Sequence, residues 1–272
     1  MEKIKQALER AREAHTPIST NRQYGKSVSQ TPEVDTTTKI KYTETKTVKI
    51  SKENLKEKRV ILGDKNDSVL DQYKVLRTRI LQRLKSNKWN SLAVTSPTEG
   101  CGKTLTSLNL AISLAQEVNH SVLLVDLDLR RPCIHSYFYE DVQPGISEYL
   151  TDDKELSELL FNPGLERLVV LPGNKSFINS SEMLSSPKMV KLVKELKTRY
   201  PNRIIIFDMP PVLSCDDVLA FSPYVDAVML VIEDGRTNKT ELKKAIELID
   251  DKNFIGSVLN KSCSDKTVYS YY

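Results

Sequence analysis

Nine consecutive residues, Ser96-Pro-Thr-Glu-Gly-Cys-Gly-Lys-Thr104, are of the types that hold a polyphosphate. Gly100 and Gly102 lack a Cβ, so successive backbone N–H groups can converge on phosphate oxygens. The Lys103 ammonium is placed to reach the terminal phosphates, and the Thr104 hydroxyl to ligate Mg²⁺. The stretch Glu99, Gly100, Cys101, Gly102, Lys103, Thr104 and Leu105 is therefore the expected nucleotide cradle. Pro97 stands where the usual spacing has a first glycine. Cys101 reads either as a small tolerated residue or as a thiol acidified by the start of a helix. Three carboxylates accompany the loop. Asp126 and Asp128 end the run VLLVDLDLRRP, and Asp208 ends IIIFDMPPV. Mg²⁺ takes oxygen ligands, often one or two carboxylates with water. Thr104, Asp126 and Asp208 are the candidate metal ligands, and Lys103, Asp126, Asp128 and Asp208 the candidate catalytic set. The alternative for each aspartate is a helix cap in a strand-to-helix loop. Arg130 and Arg131 suit a phosphate, an aspartate partner or plain solvation.

These residues must be positioned by strands and helices. The runs SLAVTS, VLLVDLD, LERLVVLPG, RIIIFDMPPV, AVMLVIEDG and IGSVLN are short and apolar, as buried parallel strands are. Helical patterns separate most of them, notably SLNLAISLAQEV, SPKMVKLVKELKTRY and TELKKAIELIDD. Alternating strand and helix predict an α/β fold, a mostly parallel sheet covered on both faces. In such sheets ligands bind beyond the C-terminal strand ends, where the loop and the aspartates fall. The folded domain is expected over residues 68–262, opening with a helix that carries Val69, Tyr73, Leu76, Ile80 and Leu84 at helical spacing.

Residues 1–15 read as a short amphipathic helix. Residues 16–67 read as a flexible basic linker rich in Thr, Ser and Lys, with one weak strand around Thr45–Ile50. Residues 1–60 carry a net charge of +6 and the remainder −2, within a total of +4. The basic segment suits an anionic surface or a solvated linker. The net-acidic folded part argues against nucleic acid. No run approaches the ~18 apolar residues that span a bilayer, and four scattered cysteines without a CxxC pair suggest neither zinc nor disulfides. A cytoplasmic protein is expected. Residues 263–272 form a tail with Tyr269, Tyr271 and Tyr272, expected to be mobile.

Taken together, the phosphate loop followed by SLNLAISLA, the run VDLDLRRP, the ending IIIFDMPPV, the segment NSSEMLSS and the terminal tyrosines resemble the bacterial tyrosine kinases of capsule and exopolysaccharide synthesis. That resemblance implies a P-loop NTPase fold and ATP with Mg²⁺. It implies autophosphorylation of Tyr269, Tyr271 and Tyr272. It implies ring assembly through a first-helix signature matched here by Asp71, Lys74 and Arg77, with Lys74 at a family arginine. It further implies a homo-oligomer and an activating membrane chain-length regulator, a polysaccharide co-polymerase, that recruits the kinase to the inner face of the plasma membrane. The loop reads E-G-C-G-K where the family favours P-G-E-G-K. A partitioning-type ATPase switch, or a nucleotide-binding scaffold with weak catalysis, remains the alternative reading.

Overall fold

The apolar runs assemble into one eight-stranded sheet. The computed structural model describes residues 45–48, 50–62, 68–139, 141, 143–200, 202–249 and 254–262. The expected helix at 1–15, most of the linker and the tyrosine tail lie outside them. The strands are β1 (Lys46–Thr47), β2 (Ser91–Thr95), β3 (Ser121–Asp126), β4 (Phe161–Asn162), β5 (Leu168–Leu171), β6 (Arg203–Asp208), β7 (Ala227–Glu233) and β8 (Phe254–Asn260). Their order is β1-β4-β5-β3-β6-β2-β7-β8, and every pair is parallel except β4 with β5.

Continuous apolar strands follow from burial on both faces. Side chains alternate across the pleat, so Leu123, Val125, Ile205 and Phe207 enter one core cluster. Val122, Leu124, Ile204 and Ile206 enter the other. Helix α1 is the short Lys52–Glu57, α2 is Ser68–Asn87 and α3 is Lys103–Ala115. The second cluster packs beneath α3 and is lined by α2 residues Ile80 and Leu84. Helices α4 (Ile146–Asp152), α5 (Leu156–Leu159), α6 (Ser180–Leu184), α7 (Pro187–Arg199), α8 (Asp217–Phe221) and α9 (Lys239–Leu248) follow. In α7, Met189, Leu192, Val193 and Leu196 are buried at helical spacing against the first cluster. The Ser186 hydroxyl caps α7 by accepting from the Met189 N–H at 3.2 Å, and Pro187 opens it.

The body begins before the boundary at 68. Strand β1 extends the sheet beside β4, and α1 buries Leu55 at 2% exposure. Val60 and Ile61 are buried after it. The Ile61 N–H donates to Asn109 Oδ1 at 2.9 Å, and Asn109 Nδ2 returns a bond to the Arg59 carbonyl at 3.2 Å. Three apolar side chains in a polar run suffice here because a pre-existing helix, α3, receives them. Composition averaged over the linker conceals such a contact.

Candidate active site

Strand β2 delivers the phosphate loop to α3. Gly100 and Gly102 take φ of +81° and +86°, the left-handed region that explains glycine at both places. Gly102 is the N-cap, and α3 begins at Lys103. Four N–H groups at a helix start lack intrahelical partners and suit an anion. Pro97 is buried, and its carbonyl accepts from the Leu213 N–H at 3.2 Å. The missing first glycine is thus a packed position joined to the loop after β6. Glu99 turns away from the cradle, its carboxylate meeting Arg131 at 2.7 Å. Cys101 is 1% exposed, its sulfur near the hydroxyls of Thr98 (3.6 Å) and Thr237 (3.8 Å). That is a small buried packing group, the first of its two readings. Leu105 is half-buried against the α3-side core.

The loop meets carboxylates because β2 and β3 flank β6. In register, Asp208 lies opposite Val94 on one side and Asp126 on the other. Asp208 is fully buried. It accepts from the Thr104 hydroxyl at 2.6 Å and from the Ser107 hydroxyl at 3.0 Å. Lys103 Nζ donates to Asp128 at 2.8 Å and stands 3.6 Å from Asp208. Burial opposes the Lys103 charge, but Asp208 and Asp128 outweigh it, so its pKa lies above the ordinary lysine value. Burial raises Asp208 despite Lys103 and Thr104. The oxygens of Thr104, Ser107 and Asp208 form a hard-donor corner that fits Mg²⁺ shared with phosphate and water.

Asp126 is placed differently from Asp208. Its Oδ2 accepts from the Cys133 and Ile134 N–H groups at 2.9 and 2.8 Å, and Oδ1 from the Asp128 N–H at 3.3 Å. All three partners are backbone amides, so the carboxylate ties down the 3₁₀ turn Ile134–Tyr137. That is the arrangement of the capping alternative, while Oδ1 keeps acceptor capacity beyond its one long bond. Burial first, and the Asp208 charge second, push Asp126 up to about 7. Cys133, 3.7 Å from the Thr104 hydroxyl, is pushed up to about 12 by burial and is a neutral thiol.

The other side of β2 supplies the loop's outer support. Asn260 Nδ2 donates to the Cys101 carbonyl and Lys261 Nζ to the Gly100 carbonyl, each at 2.8 Å. Any Cβ at Gly100 would lie 3.0 Å from Arg236 Nη1. Sequence reasoning missed Ser107, Cys133, Arg236, Asn260 and Lys261. Ser107 was accessible, being one turn from Lys103 on the same helical face. Asn260 and Lys261 end β8, on the ligand side of a parallel sheet. The first-helix candidates divide. Asp71 and Lys74 are exposed and pair with each other at 2.8 Å. Arg77 instead turns onto α3, donating to the Ser113 carbonyl at 3.0 Å and meeting Glu117 at 3.0 Å. Tyr269, Tyr271 and Tyr272 lie outside the described residues.

Comparisons follow this geometry. The family model described as an AAA domain matches residues 90–256. Tyrosine-protein kinase YwqD of Bacillus subtilis (strain 168) is 32% identical over 205 residues, 74% of this chain and 85% of the relative. Putative tyrosine-protein kinase CapB of Staphylococcus aureus is 30% identical, over 75% of this chain and 90% of its own length. The solved kinase domain of Escherichia coli tyrosine kinase ETK matches at a TM-score of 0.70 and 27% identity, covering 84% of this chain and 93% of that one.

Proposed function

The chain belongs to the bacterial tyrosine-kinase family, and we propose that it autophosphorylates Tyr269, Tyr271 and Tyr272 with ATP and thereby regulates exopolysaccharide or capsule synthesis and export. The observation that carries the phosphotransfer reading is the contact of Lys103 and Thr104 with Asp128 and Asp208 across three adjacent strands. The loop amides and α3 bind the β- and γ-phosphates, and Lys103 neutralises charge on the transferring group. Phosphate oxygens compete with Asp128 for the ammonium, which frees Asp128 beside the reacting end. Thr104 and Asp208 would hold Mg²⁺, with Ser107 orienting Asp208. An ion held there would supply positive charge against the phosphate oxygens. Asp126 fixes the turn carrying Asp128. Asp128 is then free to accept the proton of the incoming tyrosine hydroxyl.

Among the described residues no helix is long and apolar enough to cross a membrane. We assign the kinase to the cytoplasm, working as a homo-oligomer at the inner membrane face through a chain-length regulator. The test is incubation with ATP and Mg²⁺, with and without the regulator's cytosolic tail, followed by mass spectrometry of residues 263–272. Phosphotyrosine is expected there, and Lys103→Met should abolish it. No phosphotyrosine under either condition sinks the reading, and leaves an ATPase switch or scaffold if nucleotide still binds.

A further inference from the structure

Two arginines follow Asp128, and they are held in different ways. The Arg131 N–H donates to the Asp128 carbonyl at 3.1 Å and to its Oδ1 at 3.0 Å. Residues 128–131 therefore form a tight turn, which fixes the backbone of Arg130 next to Asp128. The Arg131 guanidinium is occupied by Glu99 at 2.7 Å, and both side chains are exposed. Arg130 reaches the other way, over the end of β6. Its Nε donates to Asp217 Oδ1 at 3.3 Å, while the side chain stays 40% exposed. Asp217 is 0% exposed and is fixed by the Ser180 hydroxyl at 2.9 Å. Its Oδ2 is buried without a hydrogen-bond partner. The remaining contact of Arg130 is a long one, 3.9 Å from Nη2 to the exposed Asp216.

A buried carboxylate gripping only the inner nitrogen of a guanidinium is a mount. It holds the arginine by its inner nitrogen and leaves its terminal N–H fork partly exposed, with Asp216 3.9 Å from Nη2. An arginine fork recognises phosphate or carboxylate oxygens in two-point fashion, which a lysine does not. The mount spans the strand ends of β3 and β6, which carry Asp128 and Asp208. We propose that Arg130, positioned by Asp217 and Ser180, forms an anion subsite on the acceptor side of the kinase, binding an anionic group carried next to the acceptor tyrosine. The inference rests on the kinase reading. Two sources offer that chemistry in the segment 263–272: a neighbouring tyrosine already phosphorylated, and the Asp265 carboxylate. With the first source, modification of the closely spaced Tyr269, Tyr271 and Tyr272 becomes sequential, since one phosphate improves docking for the next.

The test is a binding measurement on the full chain, independent of turnover. Fluorescence anisotropy is recorded with a labelled peptide of residues 263–272 in three forms: unmodified, phosphorylated on Tyr269, and Asp265→Asn. The phosphopeptide should bind at least tenfold more tightly than the unmodified form. Arg130→Gln should erase that difference, and Arg130→Lys should keep only part of it. The Kd for ATP should stay within twofold in both. If Asp265→Asn weakens binding and phosphate adds nothing, the subsite reads a carboxylate. The proposal is overturned if neither anion matters, or if the gain survives Arg130→Gln. Because Arg130→Gln strands the buried Asp217, the double variant Arg130→Gln/Asp217→Asn is measured beside it, with melting temperatures. Loss of the phosphate effect in a stable double variant supports the subsite, and retention refutes it. Absence of phosphotyrosine from the wild type with ATP would sink the kinase reading, and the peptide affinities would still report on the subsite.

Discussion

At the scale of single residues, three aspartates of one chemical type do three jobs because their partners differ. Asp208 faces hydroxyls, Asp128 faces an ammonium and Asp126 faces backbone amides. These differences arise from side-chain and turn geometry, which explains why the three positions were legible in the sequence while their division of labour was not. Asp126 has a measurable consequence. Its folded pKa of about 7 lies above the ordinary carboxylate value because burial penalises its charge. A raised carboxyl favours folding in its protonated form. That stability is fully present below about pH 4 and is lost as pH rises towards 7, at no more than about 1.4 kcal/mol per pH unit. In urea melts from pH 4 to 8, Asp126→Asn should lose this slope, so the gap between variant and wild type narrows as pH rises. A gap that is constant across the range would show that Asp126 titrates as an ordinary carboxylate.

At the scale of elements, α2 and the segment before it show how far patterning reads. The helical stripe of α2 is plain in the sequence, and Ile80 and Leu84 are buried as it requires, but in the first turn Leu70 is buried and Val69 is 42% exposed. What patterning leaves open is which charges on that helix turn inward. Arg77 is 15% exposed and bonds α3, whereas the Lys74 side chain is 46% exposed and among the described residues pairs with its neighbour Asp71. Arg77→Ala should therefore destabilise the chain by about 1–3 kcal/mol for a lost charged hydrogen bond, seen as a lower melting temperature. Lys74→Ala should cost at most about 0.5 kcal/mol, as exposed helical pairs do. If the two variants melt alike while only the oligomer changes, Arg77 serves assembly and not α3. The short α1 went unread although Ser51 offers an N-cap and Glu53 a first-turn acid, because a six-residue helix with one apolar residue, Leu55, shows no periodicity. Leu55→Ala should cost about 2–5 kcal/mol, the range for a buried leucine. A melt within a degree of wild type would return residues 50–62 to the linker.

At the scale of the whole molecule, the strand order brings side chains to the phosphate loop from both of its sides. The parallel alternation made the sheet and its ligand-bearing edge legible, because helical patterns separate most of the apolar runs. The order β3-β6-β2-β7-β8 is set by long-range pairing and could not be read locally. Its effect is that Asp128 and Asp208 reach the loop from the β3 and β6 side, while Asn260 and Lys261 reach it from the end of β8, where Glu233 of β7 pairs with Lys261 at 3.1 Å. The second side acts on the loop's carbonyls. Asn260 holds the Cys101 carbonyl and Lys261 the Gly100 carbonyl, each at 2.8 Å. A peptide whose C=O is held outward presents the N–H of the next residue inward, towards phosphate. Asn260→Ala should let the Cys101–Gly102 peptide rotate and weaken ATP binding. A typical hydrogen bond contributes about 0.5–1.5 kcal/mol, so the expected loss is up to tenfold in Kd. Asn260→Asp should be worse, since a carboxylate would face both a carbonyl oxygen and the triphosphate. Calorimetric titration with ATP and Mg²⁺ reads both variants, and melting temperatures near wild type would confine the effect to the loop. Unchanged affinity in Asn260→Asp would mean that the loop holds its shape without support from β8, and that α3 alone orients its amides.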